Sequence, residues 1–218
     1  HITGSVTLTI TSGFFNSVFG GNESTGSIGG SITVNIEETD DCKPIIIGNL
    51  VGGGNMAPYP GTLRNGTPIT KPGNITVNVK SATRIDNIFG GGFESEVLGN
   101  TTVNINMIKG HWAGETYDPS GTAMAIPDSV GVIGNVYGGG NEGRVRGNST
   151  VNIGTLRTIQ IMKRNAEGKL VDEANHEIYD AEGNFKEGMS INSIVMVDTT
   201  VVGARITGDV FGGGKLVD

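Results

Sequence analysis

Carboxylate side chains are the groups in this sequence best suited to acid–base chemistry. Glu23, Glu94 and Glu142 each follow a glycine-rich motif, so we expect them near one corner of a repeating structure. Hydrolysis of a glycosidic bond uses two carboxylates roughly 5–10 Å apart in a cleft, and no spacing here marks such a pair. Stacked carboxylates repel one another unless they are paired, and Arg144 and Arg146 are available as partners. The pattern favours a solvated or salt-bridged column.

The densest acidic cluster lies at Glu37-Glu38 and Asp40-Asp41. Its oxygens are of the kind that Ca²⁺ binds, but their spacing matches no calcium-binding loop. We therefore expect no cofactor, with Ca²⁺ at this cluster as the alternative. Cys42 is the only cysteine, which excludes an intrachain disulfide and a zinc site built from cysteines. The three histidines are scattered, and spacing alone assembles no Ser-His-Asp or Cys-His set.

A glycine motif recurs along the chain as an apolar pair followed by two or three glycines. It lacks the Lys and Ser/Thr of a phosphate-binding loop, and no helix follows it. We interpret the glycines as corners that require positive φ or close backbone approach. The aromatic member of the pair recurs as Phe19, Phe89, Tyr137 and Phe211, which favours packing at the corner over sugar binding. The predicted structural corners are Gly20, Gly21, Gly52, Gly53, Gly54, Gly90, Gly91, Gly92, Gly138, Gly139, Gly140, Gly212, Gly213 and Gly214.

A second motif, Thr-apolar-polar-apolar, alternates strictly with the first and has the alternating polarity of a short strand. Its copies begin at Thr7, Thr33, Thr76, Thr102 and Thr150, and a degenerate sixth begins at Thr200. We expect the Thr and Asn side chains to face solvent as hydrogen-bonded polar ladders, and Val and Ile to face the core. The predicted core columns are Val34, Ile36, Val77, Val79, Val103, Ile105, Val151 and Ile153.

The repeat contains both motifs, and its shortest copy, from Thr76 to Thr102, spans about 26 residues. A weaker third element lies between the two, at Ile28-Gly29, Val97-Leu98-Gly99 and Val145-Arg146-Gly147. This organisation predicts an all-β fold, a parallel β-helix or β-solenoid of about five rungs. Rungs stacked about 4.8 Å apart pair their backbones and bury an apolar face that one rung cannot bury alone. We interpret residues 1–218 as a single solenoid fragment of a larger protein.

Four segments interrupt the repeats, at 37–46, 56–72, 106–129 and 154–193. Most lie between a Thr motif and the next glycine motif, so we expect them to emerge from similar regions, and 56–72 from a different corner. In the longest segment, the similar runs Asn165–Lys169 and Asp180–Asn184 predict one or two hairpins. The candidate ligand contacts are His111, Trp112, Tyr117 and Tyr179, all within these insertions.

The amino-acid composition and net charge limit the kinds of molecule that this chain is expected to bind. The 218 residues carry a net charge of −7, and no run of Lys or Arg occurs. A surface that binds nucleic acid or anionic lipid is therefore not expected. No apolar run approaches the roughly 18 residues that cross a bilayer. The 37 glycines, with abundant Thr, Asn, Val and Ile, are typical of short strands joined by tight turns.

The run Val136-Tyr137-Gly138-Gly139-Gly140-Asn141, followed by Gly147-Asn148-Ser149-Thr150-Val151-Asn152-Ile153, resembles glycine-rich repeats of large bacterial cell-surface proteins. It is similar to right-handed parallel β-helix regions of adhesins, of autotransporter passengers and of Bacteroidetes surface proteins. The resemblance covers most of the chain except the insertions. It implies secretion, extracellular display at the cell surface and an adhesive or scaffold role, and it supplies no catalytic residue.

The sequence leaves three alternative functions for this chain. The first is a non-enzymatic extracellular module, either a stalk or an adhesin that binds a host or cell-surface glycan or protein through its insertions. The second is a polysaccharide-active β-helix enzyme, a lyase or glycosidase, which would need acidic and basic side chains clustered on one sheet face. The third is an ice- or crystal-binding surface formed by the Thr columns, although only the first repeat has Thr in both columns.

Overall fold

The computed structural model describes residues 1–38, 44–105, 131–154, 157–201 and 204–215. Its all-β character and its repeated parallel strands confirm that part of the predicted fold. The first sheet contains, in spatial order, β1 (Val6–Ile10), β3 (Ile32–Glu37), β5 (Ile75–Ser81), β7 (Thr101–Ile105) and β9 (Ser149–Ile153). The second sheet contains β2 (Gly13–Phe19), β4 (Ile45–Val51), β6 (Arg84–Phe89) and β8 (Val132–Tyr137), with β12 (Arg205–Ile206) and β13 (Val210–Phe211) both paired to β8. An antiparallel ribbon contains β10 (Arg157–Met162) and β11 (Met196–Val201).

Successive strands of the repeat alternate between the two sheets, and all pairs within each sheet are parallel. Equivalent residues lie directly beside one another: Thr33 pairs with Thr76, and Thr76 with Thr102. A shift of one residue would exchange the core and solvent faces, so burial of one face fixes this register.

The core lies between the two sheets because each presents β-branched side chains to the other. Val34, Val77 and Val103 from the first sheet are fully buried, as are Ile47 and Ile85 from the second. The predicted columns continue through Ile36, Val79 and Ile105, at most 1% exposed. Val151 packs against this core but is only partly buried, and Ile153 is 38% exposed. Both lie on β9, which is the last strand of the first sheet among the described residues.

The weak third element is present as isolated parallel bridges and not as strands. These bridges join Ile2 to Ile28, Tyr59 to Val97, and Val97 to Val145. Tyr59, from segment 56–72, takes the position that Ile28 and Val97 hold in neighbouring repeats. Its hydroxyl donates a hydrogen bond to the Gly30 carbonyl at 2.6 Å. This segment therefore completes a repeat as well as interrupting it.

Most glycines of the first four motifs are required by close approach between repeats, whereas a Cβ at Gly212 or Gly213 in the last motif would meet nothing within 4 Å. A Cβ on Gly52 would lie 2.5 Å from the Gly90 carbonyl oxygen and 2.7 Å from Cγ2 of Ile75. Positive φ occurs at other glycines, such as Gly168 and Gly183 in the turns of the longest insertion. Glycine is needed at these corners because the backbones approach closely, and not because φ is positive.

The longest insertion contains three turns of one kind, where the sequence predicted one or two hairpins. Antiparallel bridges close them, joining Arg164 to Leu170, Val171 to Glu177, and Tyr179 to Phe185. In each turn an Asx side chain accepts a backbone N–H four residues later: these side chains are Asn165, Asp172 and Asp180. The sequence pattern did not predict the middle turn, because Asn175 and not Gly adopts the positive φ there.

The structure corrects two predictions made from the sequence, one about an insertion boundary and one about a sixth copy of the strand motif. Insertion 37–46 is shorter than expected, because β3 continues to Glu37 and β4 begins at Ile45. The degenerate sixth strand motif at Thr200 is not a further copy of the repeat. Thr200 and Val201 lie in β11, which pairs antiparallel with β10 and belongs to neither parallel sheet. Alternating polarity predicts a strand but does not say which sheet it joins.

Candidate functional site

A groove of about 630 Å³ lies along the second sheet. It crosses β4, β6 and β8 and reaches Thr207, which directly follows β12, so four repeats contribute to it. Its lining residues are Ile46, Thr83, Arg84, Ile85, Asp86, Asn87, Val132, Gly134, Asn135 and Thr207. No sequence pattern marks this site, because its residues become neighbours only when the strands align.

An ion pair lies in the groove. Nε of Arg84 lies 2.6 Å from Oδ1 of Asp86, two residues along the same strand. Both side chains are substantially exposed, 62% and 45%, so the pair adds little to stability. The two planar groups together can both donate and accept hydrogen bonds. Their charges cancel, which leaves the groove polar with no net charge from this pair.

An asparagine ladder runs beside the ion pair. Asn87 donates from Nδ2 to Oδ1 of Asn49, and Asn135 donates in the same way to Asn87, each at 3.1 Å. The backbone N–H of Asp209 then donates to Oδ1 of Asn135 at 3.0 Å. Each amide nitrogen carries two hydrogens, so the ladder uses one and leaves a second at every step.

Glycines lie beside Asp86 and directly before the ladder residues, where the backbones of neighbouring strands approach closely. Gly134 lies beside Asp86, and a Cβ at Gly134 would collide with the Asp86 backbone carbonyl. At Gly48 a Cβ would lie 2.5 Å from the Asn16 carbonyl oxygen. The sequence signal is a Gly directly before the ladder residue, as in Gly48-Asn49 and Gly134-Asn135.

Three insertions return to the framework at the groove. The chain enters the second sheet at Ile45, within the last two residues of segment 37–46, at Val132 after 106–129, and at Arg205 after 154–193 and β11. In the remaining central repeat only Ala82 and Thr83 separate β5 from β6. The described residues that follow these three insertions thus all enter the second sheet, while 56–72 follows a glycine corner instead.

Of the four residues predicted to contact a ligand, the structure describes one, Tyr179. His111, Trp112 and Tyr117 lie outside the described residues. Tyr179 is 5% exposed and packs in the small core of the longest insertion, beside Leu170 and Ile178. Its ring stacks on Phe185 at a centroid distance of 4.8 Å. The burial of Tyr179 fits a role in holding the three turns together.

The carboxylates after the glycine corners do not form one column. The N–H of Met56 bonds to the Glu23 carbonyl, whereas the N–H of Glu94 bonds to the Asn55 carbonyl. Glu23 therefore aligns with Asn55 and lies one residue out of step with Glu94, because the first glycine motif is one glycine shorter. Arg146 pairs with Glu96 at 2.6 Å, and not with the expected column.

Both described carboxylates of the acidic cluster have partners within the framework. Glu37 pairs with Lys80 at 2.7 Å. The buried carboxylate of Glu38 accepts hydrogen bonds from the Ile45 N–H and from the Thr83 hydroxyl, at 2.7 and 2.5 Å. Asp40 and Asp41 lie outside the described residues. Over the residues that are described, no three His, Cys, Asp or Glu side chains are grouped to hold a metal ion.

The aromatic residues of the glycine motif pack against one another. The rings of Phe89 and Tyr137 stack at 5.0 Å, and those of Tyr137 and Phe211 at 5.1 Å. Phe93 meets Phe19 and Phe89 edge-on. Phe89 and Tyr137 are buried, so this column serves packing at the corner.

No protein-family model, curated protein or solved structure matches this chain. Within the described ranges, no helix has the length and apolarity needed to cross a membrane. The fold defines the class as an all-β protein with repeated parallel strands in two sheets. Any function must be argued from the geometry of the groove and of the insertions.

Proposed function

We propose that this chain is a non-enzymatic module of an extracellular cell-surface protein. In this proposal the two parallel sheets belong to a right-handed β-solenoid of about five rungs, which acts as a stalk or as the framework of an adhesin. The insertions and the surface beside them present the binding site. The resemblance to glycine-rich repeats of bacterial adhesins supports the same assignment.

The observation that carries the proposal is that the strands keep the same register whether or not a long insertion lies between them. Asn104 and Asn152 pair in the first sheet although 48 residues of chain separate them. Asn78 and Asn104, separated by only 26 residues, pair with the same geometry. A framework that keeps its register around long loops can vary those loops freely, which is how scaffold-borne binding sites are built.

Polysaccharide cleavage is the alternative function, and the groove gives it limited support. Glycoside hydrolysis uses a pair of carboxylates, whereas Asp86 is the one carboxylate among the described lining residues. It is already bonded to Arg84. Release of new reducing or unsaturated ends from neutral or uronic-acid glycans by the purified chain would establish the enzyme instead.

The proposed partner is a glycan or protein of a host or neighbouring cell. The acidic net charge of −7 disfavours an anionic partner such as nucleic acid. No cofactor is required for a binding role. Ca²⁺ at the 37–41 cluster is the alternative, and calorimetric titration of the chain with Ca²⁺ tests it.

An array of glycans and host surface proteins, probed with the intact chain, tests the proposal. We expect binding to at least one member, and we expect Trp112→Ala to weaken it about tenfold, as loss of an aromatic anchor does. Phe14→Ala is the matched control, because Phe14 is an aromatic residue 72% exposed on the framework. Absence of binding across the array would contradict an adhesin, and catalytic turnover would contradict a non-enzymatic module.

A further inference from the structure

We propose that the groove of the second sheet binds a neutral polysaccharide chain laid across β4, β6 and β8. The inference rests on the proposed binding role and moves the contact from the insertions to the framework. Four features of the groove carry it: cancelled charge, a row of amide donors, a repeat distance suited to sugars, and apolar side chains beside the ion pair.

Charge decides between ligand classes. Arg84 and Asp86 neutralise each other at 2.6 Å, so neither an anionic nor a cationic ligand gains a lasting advantage. At the far end of the groove, β12 begins with Arg205 and Asp209 precedes β13, which adds one charge of each sign. A neutral ligand rich in hydroxyls fits this balance, since each hydroxyl both donates and accepts.

The hydrogen-bonding groups of the groove suit vicinal hydroxyls. The guanidinium of Arg84 carries further N–H donors, and the carboxylate of Asp86 a further acceptor oxygen, beyond the Nε–Oδ1 bond that joins them. The amides of Asn87 and Asn135 each retain one N–H beyond their ladder bond. The Thr83 hydroxyl donates to Glu38, so its oxygen remains an acceptor at the rim.

Spacing favours a polymer over a single sugar. Neighbouring strands lie about 4.8 Å apart, so the ladder offers an equivalent amide at each such step. A pyranose unit in an extended chain is of similar length, and consecutive units therefore meet equivalent donors. Discrete small ligands would gain nothing from this repetition.

Apolar contact completes the site. Ile46 pairs in register with Arg84, and Arg84 with Val132, so the two apolar side chains flank the guanidinium on the same face. Both line the groove and are only partly buried. They offer a surface for the C–H face of a sugar ring, while the polar groups bind its edge.

The test measures binding of neutral hexasaccharides of β-linked glucose, mannose and N-acetylglucosamine to the full chain by calorimetry. A hexamer of galacturonic acid is the anionic comparison. Arg84→Ala and Asp86→Ala remove the ion pair, and Asp86→Asn keeps its shape without the charge. Arg146→Ala is the matched control, because Arg146 and Glu96 form an ion pair of the same 2.6 Å length and similar exposure elsewhere.

We expect at least one neutral hexamer to bind, with Arg84→Ala and Asp86→Ala weakening it about tenfold or more, as loss of a charged hydrogen-bonding partner does. Asp86→Asn should weaken it less, and Arg146→Ala should leave it unchanged. Circular dichroism establishes that each variant is folded.

The proposal fails if no neutral hexamer binds, if only the uronic-acid hexamer binds, or if the groove variants bind as well as the unaltered chain. If binding is lost in Trp112→Ala but kept in Arg84→Ala, the groove is not the glycan-binding site, while the proposed adhesin function still stands. Failure of the whole array would instead overturn the adhesin itself.

Discussion

Asparagine side chains add regular side-chain hydrogen bonds between repeats to those of the backbone. On the first sheet Asn78 donates to Asn35, Asn104 to Asn78 and Asn152 to Asn104, each at 2.9 Å. A second ladder lies on the second sheet. Parallel, in-register strands make such ladders possible because identical side chains are stacked along them. Each inner Asn both donates and accepts, so its loss affects two neighbours.

Substitution of an inner ladder residue should destabilise the fold despite a better strand propensity. We expect Asn78→Thr to lower the free energy of unfolding by about 1–2 kcal/mol, because two amide hydrogen bonds are lost. Asn152→Thr, at the end of the ladder, loses one bond and should cost about half as much. Urea denaturation measures both, and equal stability of Asn78→Thr and the unaltered chain would contradict the ladder's role.

Tyr59 is a buried titratable residue that should make the stability of the fold depend on pH. Burial raises the pKa of its phenol above the usual 10.0. The folded state therefore keeps the proton to a higher pH than the unfolded chain does. The stability that this provides is fully present below about pH 10 and is lost as the pH rises through the folded-state pKa.

Tyr59→Phe should remove this loss. At neutral pH the variant also loses the hydrogen bond to Gly30, at a cost of about 1 kcal/mol. Urea midpoints between pH 8 and pH 11 should fall less steeply for Tyr59→Phe than for the unaltered chain. Tyr137→Phe, which keeps its stacked ring, is the control. Parallel pH curves for the unaltered chain and Tyr59→Phe would disprove the assignment.

Among the structural elements, the glycine corners set the distance between neighbouring repeats. The backbone carbonyl of each following repeat lies against the glycine of the repeat before it, as the Gly90 carbonyl does against Gly52. The β-branched side chains of the first sheet, such as Ile75, close the other side of the corner. The position is therefore crowded by atoms that cannot rotate away.

A methyl group at a corner should cost stability only where a following repeat is stacked on it. We expect Gly52→Ala to lower the free energy of unfolding by about 1–3 kcal/mol through overpacking. Gly212→Ala is the matched control, since a Cβ at Gly212 has no neighbour within 4 Å. Thermal denaturation compares them, and an equal effect at the two positions would refute the close-approach argument.

At the scale of the whole molecule, stability is distributed along a stack. Each repeat contacts mainly its neighbours, so local stability depends on whether repeats lie on both sides. The inner strands β3 to β8 have paired neighbours, whereas β1 and β2 lie at one edge of the stack and β9, β12 and β13 at the other. Exposed apolar side chains concentrate at these edges, including Phe14 and Phe211.

Hydrogen exchange should follow this gradient. We expect the backbone amides of β5, β6 and β7 to exchange slowest and those of β1, β9 and β13 fastest, because edge strands open without disrupting two interfaces. Exchange measured by mass spectrometry on the intact chain tests this directly. Uniform protection across all strands would indicate a single cooperative unit instead.

The sequence alone determined the architecture of the repeat. Alternation in the Thr motif predicted the first-sheet strands, because period-two polarity matches a half-buried strand. The recurring glycines predicted the corners, because only glycine permits such contact between backbones. These are local properties, and Thr76 to Ile105 contains every element of the repeat.

Only the tertiary structure decided what lies beside what. The groove forms because parallel pairing brings together residues up to 161 positions apart, from Ile46 to Thr207, with Arg84, Asp86, Asn87 and Asn135 between them. The same pairing moved Glu23 out of step with Glu94, and hydrophobic packing buried Tyr179 in the core of its insertion. Local patterns specify the strand and the corner, whereas register and burial are set by contacts between distant segments, and those contacts determine the surface available for binding.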